Sequence, residues 1–156
     1  MTTDAGLPSL IQTHLPEVDW ARIETWAVGP GMPDLNGCLL GQEVWVECKS
    51  TYGWLVSKVR FAQVAWTERR TRAGGRCLVA VRQRGSRRDA LWLLGPGSLR
   101  LLREKVRLDQ LPGGLVLGTW GGGPKAWAWG EVRRITFLEP GQESLRQASS
   151  CPAAIG

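Results

Sequence analysis

Three sequence patterns follow one another between Asp34 and Gln83, and together they indicate the fold class. The stretches DLNGCLL and EVWVECKS alternate in polarity on either side of Gly41-Gln42, which predicts a β-hairpin. The stretch VRFAQVAWTERRTRAGG predicts a helix from about Lys58 to Arg72 that ends at Gly74-Gly75. The short apolar run RCLVAVRQ is typical of a buried strand. We therefore expect an α/β fold.

Weaker patterns flank these three. Leu7 to about Glu17 has helical spacing, and WARIETWAVG and ALWLL each predict a strand. GSLRLLREK predicts a short helix, and residues 113–138, rich in Gly and Trp, predict an extra C-terminal β-rich segment. The tail 139–156 has little to bury, which predicts a flexible end. We expect a single domain over residues 1–138.

Composition argues against several kinds of site. A chain of 156 residues suits one domain with a real core. It has one histidine, His14, and its cysteines at 38, 48, 77 and 151 have no CxxC spacing, which argues against zinc and against an HNH-type nuclease. The N-terminus lacks a signal-peptide pattern, and no window has the roughly 18 apolar residues of a membrane helix. We expect a cytoplasmic protein with reduced thiols and no membrane contact.

Charge is unevenly distributed along the chain, whose net charge is +6. Residues 1–47 hold seven acidic residues and one basic residue, whereas residues 58–88 hold ten basic residues and one acidic residue. The basic block is a candidate surface for a polyanion, although a solvated helix face and a soluble loop would look the same. The candidate DNA-binding residues are Lys58, Arg60, Arg69, Arg70, Arg72, Arg84, Arg87 and Arg88.

The hairpin carries the candidate chemistry. Alternation puts Glu47 and Lys49 on one face of the second strand, with Cα atoms roughly 6–7 Å apart, and Cys48 on the apolar face. Asp34 begins the partner strand and can reach the same end. Two carboxylates and the backbone carbonyl of Cys48 are hard oxygen ligands suited to Mg²⁺ or Mn²⁺. Spacing alone fits equally well an exposed Glu47–Lys49 ion pair with a turn at Pro33-Asp34.

The residues Pro33, Asp34, Glu47, Cys48 and Lys49 match the motif of the PD-(D/E)XK nuclease superfamily. The stretches RIETWAVGPGMPDLNG, WVECKS and VRFAQVAWTERRTRAGGRCLVAV resemble small phage nucleases of its VRR-NUC and Holliday-junction-resolvase-like branch. The resemblance covers about residues 20–83. It implies a mixed sheet flanked by helices in αβββαβ order, and a phage-encoded protein acting in the bacterial cytoplasm would fit it.

The resemblance also implies roles. It makes Asp34 and Glu47 metal ligands, Lys49 the catalytic lysine and Gln63 a glutamine at the edge of the site, for which a solvated helix position is the alternative. Many members use an upstream acidic residue, for which Glu24 is favoured and Glu17 stays open. The implied activity is a Mg²⁺- or Mn²⁺-dependent endodeoxyribonuclease acting on branched DNA.

Other functions stay open. A general nicking nuclease, a site-specific homing-type nuclease and a nucleic-acid-binding module without catalysis fit the same motifs. A homodimer is expected through residues 113–129, unless this segment covers the protein's own sheet. Trp54, Trp127 and Trp129 are candidates for stacking on bases, with core packing as the favoured alternative.

Overall fold

The computed structural model describes residues 4–24 and 29–138. Its helices are α1 (Leu7–His14), α2 (Phe61–Arg72), α3 (Ser98–Arg103) and α4 (Trp129–Thr136). Its strands are β1 (Asp19–Arg22), β2 (Leu35–Leu39), β3 (Gln42–Tyr52), β4 (Cys77–Gly85), β5 (Arg88–Leu94) and β6 (Val116–Trp120). Short 3₁₀ turns span Leu108–Gln110 and Gly113–Leu115. The first six elements run α1-β1-β2-β3-α2-β4.

Within the described residues, the six strands form one mixed sheet in the order β1-β2-β3-β4-β5-β6. β3 and β4 are parallel and the other neighbouring strands are antiparallel, because α2 returns the chain between β3 and β4. β2 pairs with β3 only as far as Val46, whereas β4 pairs with β3 from Trp45 to Tyr52. The sheet therefore forks after Val46, where β3 continues beside β4.

A hydrophobic core covers each face of the sheet. On one face, α1 and α4 pack on even-numbered residues of β3, including Val44, Val46 and Cys48. On the other face, α2 and α3 pack on Val79 and Val81 of β4. The odd-numbered residues Glu47 and Lys49 of β3 face this second layer, although they are charged and only 3% and 4% exposed. Two buried charges inside an apolar layer require partners there.

The structure confirms the mixed α/β sheet flanked by helices and most of its elements. The hairpin turns at Leu40-Gly41, where both residues have positive φ (51° and 79°), as a two-residue type I′ turn requires. α1 ends at His14, before Pro16, and α2 begins at Phe61 rather than Lys58. No helix among the described residues is long and apolar enough to cross a membrane.

Two predictions need correction. The strand predicted over residues 20–29 is shorter, since β1 ends at Arg22 and residues 25–28 lie outside the described chain. The C-terminal segment predicted to be β-rich contributes one strand, β6, followed by the helix α4. Val132 and Thr136 of α4 are buried at helical spacing, four residues apart, so one face of this helix packs on the core. The predicted flexible tail 139–156 lies outside the described residues.

Candidate active site

The fork between β2 and β3 brings the two motif carboxylates together. Asp34 directly precedes β2, and the register that pairs Leu35 with Val46 puts Asp34 next to Glu47 of β3. Asp34 Oδ2 accepts a hydrogen bond of 2.8 Å from the Cys48 backbone N–H. Since the N–H and C=O of one residue point to the same side of an extended strand, the Cys48 carbonyl also points to this open side. The three groups predicted to be oxygen ligands are therefore all located at the fork, and their role as metal ligands stays a prediction.

Gln63 of α2 ties the carboxylate to the lysine. Its Nε2 donates to Glu47 Oε1 at 2.8 Å, and its Oε1 accepts from Lys49 Nζ at 3.0 Å. The same Oε1 accepts from the Arg60 backbone N–H at 3.0 Å, which also caps the first turn of α2. Gln63 is only 5% exposed. The structure thus favours a site position for Gln63 over a solvated helix position.

Lys49 is held by three acceptors. Its Nζ lies 3.0 Å from Glu47 Oε1, 3.0 Å from Gln63 Oε1 and 3.2 Å from the Lys58 carbonyl. An ammonium has three donors, so each proton of Lys49 has a partner. The exposed ion pair considered as an alternative from spacing is wrong, because both side chains are buried. The charge of Lys49 is fixed beside Glu47 rather than moving in solvent.

Burial and mutual repulsion act on both carboxylates. Burial, and after it the charge of Asp34, raise the pKa of Glu47 to about 7, against the lowering effect of Lys49. Burial also raises the pKa of Asp34, while the Cys48 amide and Lys49 lower it. A buried and a half-buried carboxylate that each disfavour ionisation form a site that a divalent cation would stabilise.

The residues fit a hard divalent metal ion by their chemistry. Asp34, Glu47 and the Cys48 carbonyl offer oxygen ligands, and Glu47 Oε2 takes part in neither of the contacts made by Oε1. Over residues 4–24 and 29–138, no group of three or more His, Cys, Asp or Glu side chains is arranged to hold a metal. The oxygen set at the fork relies on two side chains and one backbone atom.

Glycine at position 31 brings the PD segment against α2. Gly31 is buried with φ of +90°, and a Cβ there would lie 2.3 Å from the Ala62 carbonyl oxygen. Only glycine tolerates both this conformation and this contact. The approach packs the chain just before Asp34 onto the helix that carries Gln63. It therefore gives Gly31 a physical role in assembling the site.

The two candidates for the upstream acidic residue, Glu17 and Glu24, lie in different surroundings, and the choice between them stays a prediction. Glu17 is exposed and pairs with Arg133 of α4 at 2.8 Å, and this hydrogen bond lowers its pKa. Glu24 lies beyond β1 and is exposed. The acidic residue whose charge raises the pKa of Asp34 is Asp4, which is buried just before α1 and lies 3.7 Å from Arg22. Sequence reasoning missed Asp4, because its position before the first helix gives no sign that it nears the hairpin.

The basic block divides into two groups in space. Arg69, Arg70 and Arg72 lie in the last turn of α2, and the Arg70 guanidinium stacks on Trp45 and Trp66. The second group lies where β3 and β4 end, roughly 20 Å away along the sheet. It consists of Arg84, Arg87 and Arg88 at the turn between β4 and β5, together with Lys58 and Arg60 in the loop that follows β3.

These eight residues share one electrostatic property. Among the described residues none of them forms an ion pair, and all except Arg84 are exposed. The arginines that are paired with carboxylates lie outside the set: Arg22, Arg82, Arg100, Arg107, Arg133 and Arg134. The predicted DNA-binding residues are thus among the basic residues that form no ion pair within the described part of the chain.

The three candidate tryptophans differ in environment. Trp127 is 3% exposed and belongs to the core under α1 and α4, so a stacking role for it is wrong. Trp129 stacks on His14 with ring centroids 4.5 Å apart. Trp54 is half-buried, with its ring edge-on to Trp92 and near two arginines. Of the three, Trp54 is the one that lies at a basic surface.

Neither a scan of protein-family models nor a search of curated proteins finds a match to this chain.

Proposed function

We propose that this protein is a Mg²⁺- or Mn²⁺-dependent endodeoxyribonuclease with a PD-(D/E)XK-type core. The observation that carries the proposal is the connected cluster of Glu47, Gln63 and Lys49 beside Asp34. Its hydrogen bonds are 2.8–3.0 Å long, and its charges are buried in an otherwise apolar layer. Even a well-paired buried ion pair is weak evidence for stability, whereas buried charges with shifted pKa values are concentrated at functional sites, which supports a functional role for this cluster.

Asp34, Glu47 and the Cys48 carbonyl would hold the metal ion. Such an ion supplies Lewis-acid polarisation of a phosphodiester and lowers the pKa of water. The Cys48 amide keeps Asp34 turned toward the fork, and Gln63 and Lys49 keep Glu47 Oε1 occupied. The protein's contribution would be a carboxylate pair that these hydrogen bonds hold in a defined orientation before substrate binds.

Lys49 would stabilise the negative charge that develops on the scissile phosphate. Its longest contact is 3.2 Å, to the Lys58 carbonyl. Replacing this hydrogen bond with one to a phosphate oxygen would cost the least interaction energy of the three. The remaining contacts to Glu47 and Gln63 keep the ammonium aimed at the fork. Lys49 thereby acts on the chemical step more than on overall DNA affinity.

DNA would be bound through the uncompensated basic residues at both ends of α2 and of the central strands. A branched substrate and a homodimer are part of the proposal, since a twofold pair presents two sites to two strands. Trp127 is buried in the protein's own core and cannot contact a second copy. The proposed dimer interface is therefore the edge strand β6. In the alternative, a DNA-binding module without catalysis, the arginines would bind DNA in the same way, but the carboxylates would have no catalytic role.

Matched linear, nicked, flapped and four-way DNA incubated with the purified protein and Mg²⁺ tests this proposal. Cleavage of the branched substrates is expected, with none in excess chelator. Asp34→Asn should abolish cleavage and keep DNA binding. Glu17→Gln is the control, because it removes the same charge from a carboxylate that pairs with Arg133 of α4. It should leave cleavage and DNA binding unchanged. Asp4→Asn and Glu24→Gln identify the upstream acidic residue by which of them lowers the rate.

Binding of DNA without cleavage of any substrate would leave the binding module as the function. Equal cutting of linear and four-way DNA by a 17.2 kDa species in sedimentation would refute both the dimer and the junction preference.

A further inference from the structure

Aromatic rings and arginines alternate at the end of the sheet where the parallel strands β3 and β4 stop. Tyr52 and Arg84 are register partners at this end, and Arg88 begins β5 directly across the turn from Gly85. Trp54 follows Tyr52 by two residues. We call Tyr52, Trp54, Arg84, Arg87 and Arg88 the aromatic–arginine end.

Tyr52 is the outermost ring of this end. It is 75% exposed, and the Arg84 guanidinium lies 4.9 Å from its ring centroid. Among the described residues Arg84 forms no ion pair, and its buried Nε has no hydrogen-bond partner. A stacked guanidinium holds the ring in place without neutralising its own charge. The pair therefore presents a flat π-surface next to an uncompensated positive charge.

Trp54 extends the surface inward. The guanidinium of Arg88 lies 4.6 Å from its ring centroid, and that of Arg107 lies 5.6 Å away. The Trp54 carbonyl accepts from the Leu108 N–H at 2.9 Å, and Gln83 Nε2 donates to the Gly53 carbonyl at 2.7 Å. The loop that carries these rings is thus pinned to the body of the protein. A rigid platform binds with little loss of conformational entropy.

Stacking platforms of this kind match unpaired nucleotides. In a duplex the faces of the bases are covered by their neighbours, whereas a single strand exposes them to aromatic rings and guanidinium planes. Phosphates of the same strand can reach Arg87 and Arg88, which are exposed and unpaired among the described residues. Tyr52 lies three residues past Lys49 on β3, roughly 10 Å along the strand, and alternation turns its ring to the opposite face of the sheet from Lys49. Trp54 packs against the core layer that Lys49 faces. A single strand that reaches the fork can therefore contact Trp54 first and then pass over the end of the sheet to Tyr52.

We propose that the aromatic–arginine end binds unpaired nucleotides of DNA by stacking on Tyr52 and Trp54, next to the catalytic fork. This inference deepens the proposed nuclease function, on which it rests, by defining the substrate as DNA that is single-stranded beside the cleavage position.

The test is fluorescence anisotropy in excess chelator, with a short labelled single strand and the matching blunt duplex. Tyr52→Ala should weaken single-strand binding by about 5- to 150-fold, the range for loss of one stacked base, and change duplex binding by less than about twofold. Tyr52→Phe should keep the wild-type affinity because it keeps the ring. Circular dichroism checks that each variant is folded.

Phe61→Ala is the matched control, since Phe61 is also exposed (63%) and lies under an arginine, Arg103, but on the α2–α3 side of the molecule. It should change neither affinity. An equal loss for Tyr52→Ala and Phe61→Ala, an equal loss on both DNA forms, or no loss at all would overturn the proposal. Tighter binding of single-stranded RNA of the same sequence would overturn the choice of DNA.

Catalysis plays no part in this assay, so its failure and that of the nuclease proposal are distinguishable. A Tyr52-dependent preference for single strands without metal-dependent cleavage would leave the binding surface standing and remove the enzyme.

Discussion

Removal of the Gln63 side chain should destabilise the fold through its two charged neighbours. Gln63→Ala deletes three hydrogen bonds, two of them to the buried groups of Glu47 and Lys49 and one to the Arg60 amide. Hydrogen bonds to charged groups contribute about 1.5–3 kcal/mol each, and water entering from the half-exposed Asp34 side offsets part of the loss. We expect the free energy of unfolding to fall by about 3 kcal/mol.

Urea unfolding at neutral pH without metal measures this change. Thr67→Ala is the matched control, because Thr67 is equally buried one turn later on the same face of α2, and its replacement should lower stability by about 1 kcal/mol. If Gln63 acts by joining Glu47 to Lys49, Gln63→Ala should destabilise a Lys49→Met background by about 1–2 kcal/mol less than it destabilises the wild type. Additive effects, or a loss no larger than that of Thr67→Ala, would refute this account of Gln63.

Three further predictions concern charge. Because the pKa of Glu47 is raised from 4.5 to about 7, its contribution to stability is present at low pH and lost as pH rises through 7. The metal-free protein should therefore be roughly 2–3 kcal/mol less stable at about pH 8 than at about pH 5, as measured by urea unfolding, and Glu47→Gln should flatten the profile. Lys49→Ala should lower the single-turnover cleavage rate by on the order of 10²–10³-fold or more, and an unchanged rate with weaker binding would make Lys49 a simple phosphate contact. DNA binding should weaken steeply as the salt concentration rises. Arg69→Gln and Arg87→Gln, one from each spatial group of the basic block, should each reduce the slope of log affinity against log salt concentration by roughly one. An affinity that does not change with salt would mean that these arginines contribute to solubility instead.

The hairpin, α2 and the buried β4 could be predicted from sequence because each has a strong local pattern. Alternation along β3 correctly separates Val44, Val46 and Cys48 from Glu47 and Lys49, and it is this alternation that aims the charged pair at α2. The position of Gln63 could not be decided from periodicity, since a helix turned by one residue would expose it. The rotation of α2 depends on tertiary contacts, among them the close approach of Gly31 to the Ala62 backbone, which lies 31 positions further along the chain.

Other features depend on tertiary contacts that no local pattern encodes. The Gly- and Trp-rich C-terminal segment has the sequence pattern of a set of strands. In the structure Trp127 and Val132 pack in the same core as α1, and the helix α4 begins between them at Trp129. Asp4 nears Asp34 only because α1 packs across the sheet. The basic block is continuous in sequence, yet β4 is long enough to carry its arginines to opposite ends of the molecule.

Metal-dependent cleavage by wild type and carboxylate variants tests the central claim most directly. The measurement is the single-turnover rate on an end-labelled branched DNA with Mg²⁺, with Mn²⁺ and with excess chelator, for the wild type, Asp34→Ala and Glu47→Ala. The account predicts cleavage by the wild type with either metal ion, none in chelator, and none by either variant, although both variants still bind the DNA. Full cleavage in chelator, or wild-type rates for both variants, would contradict it.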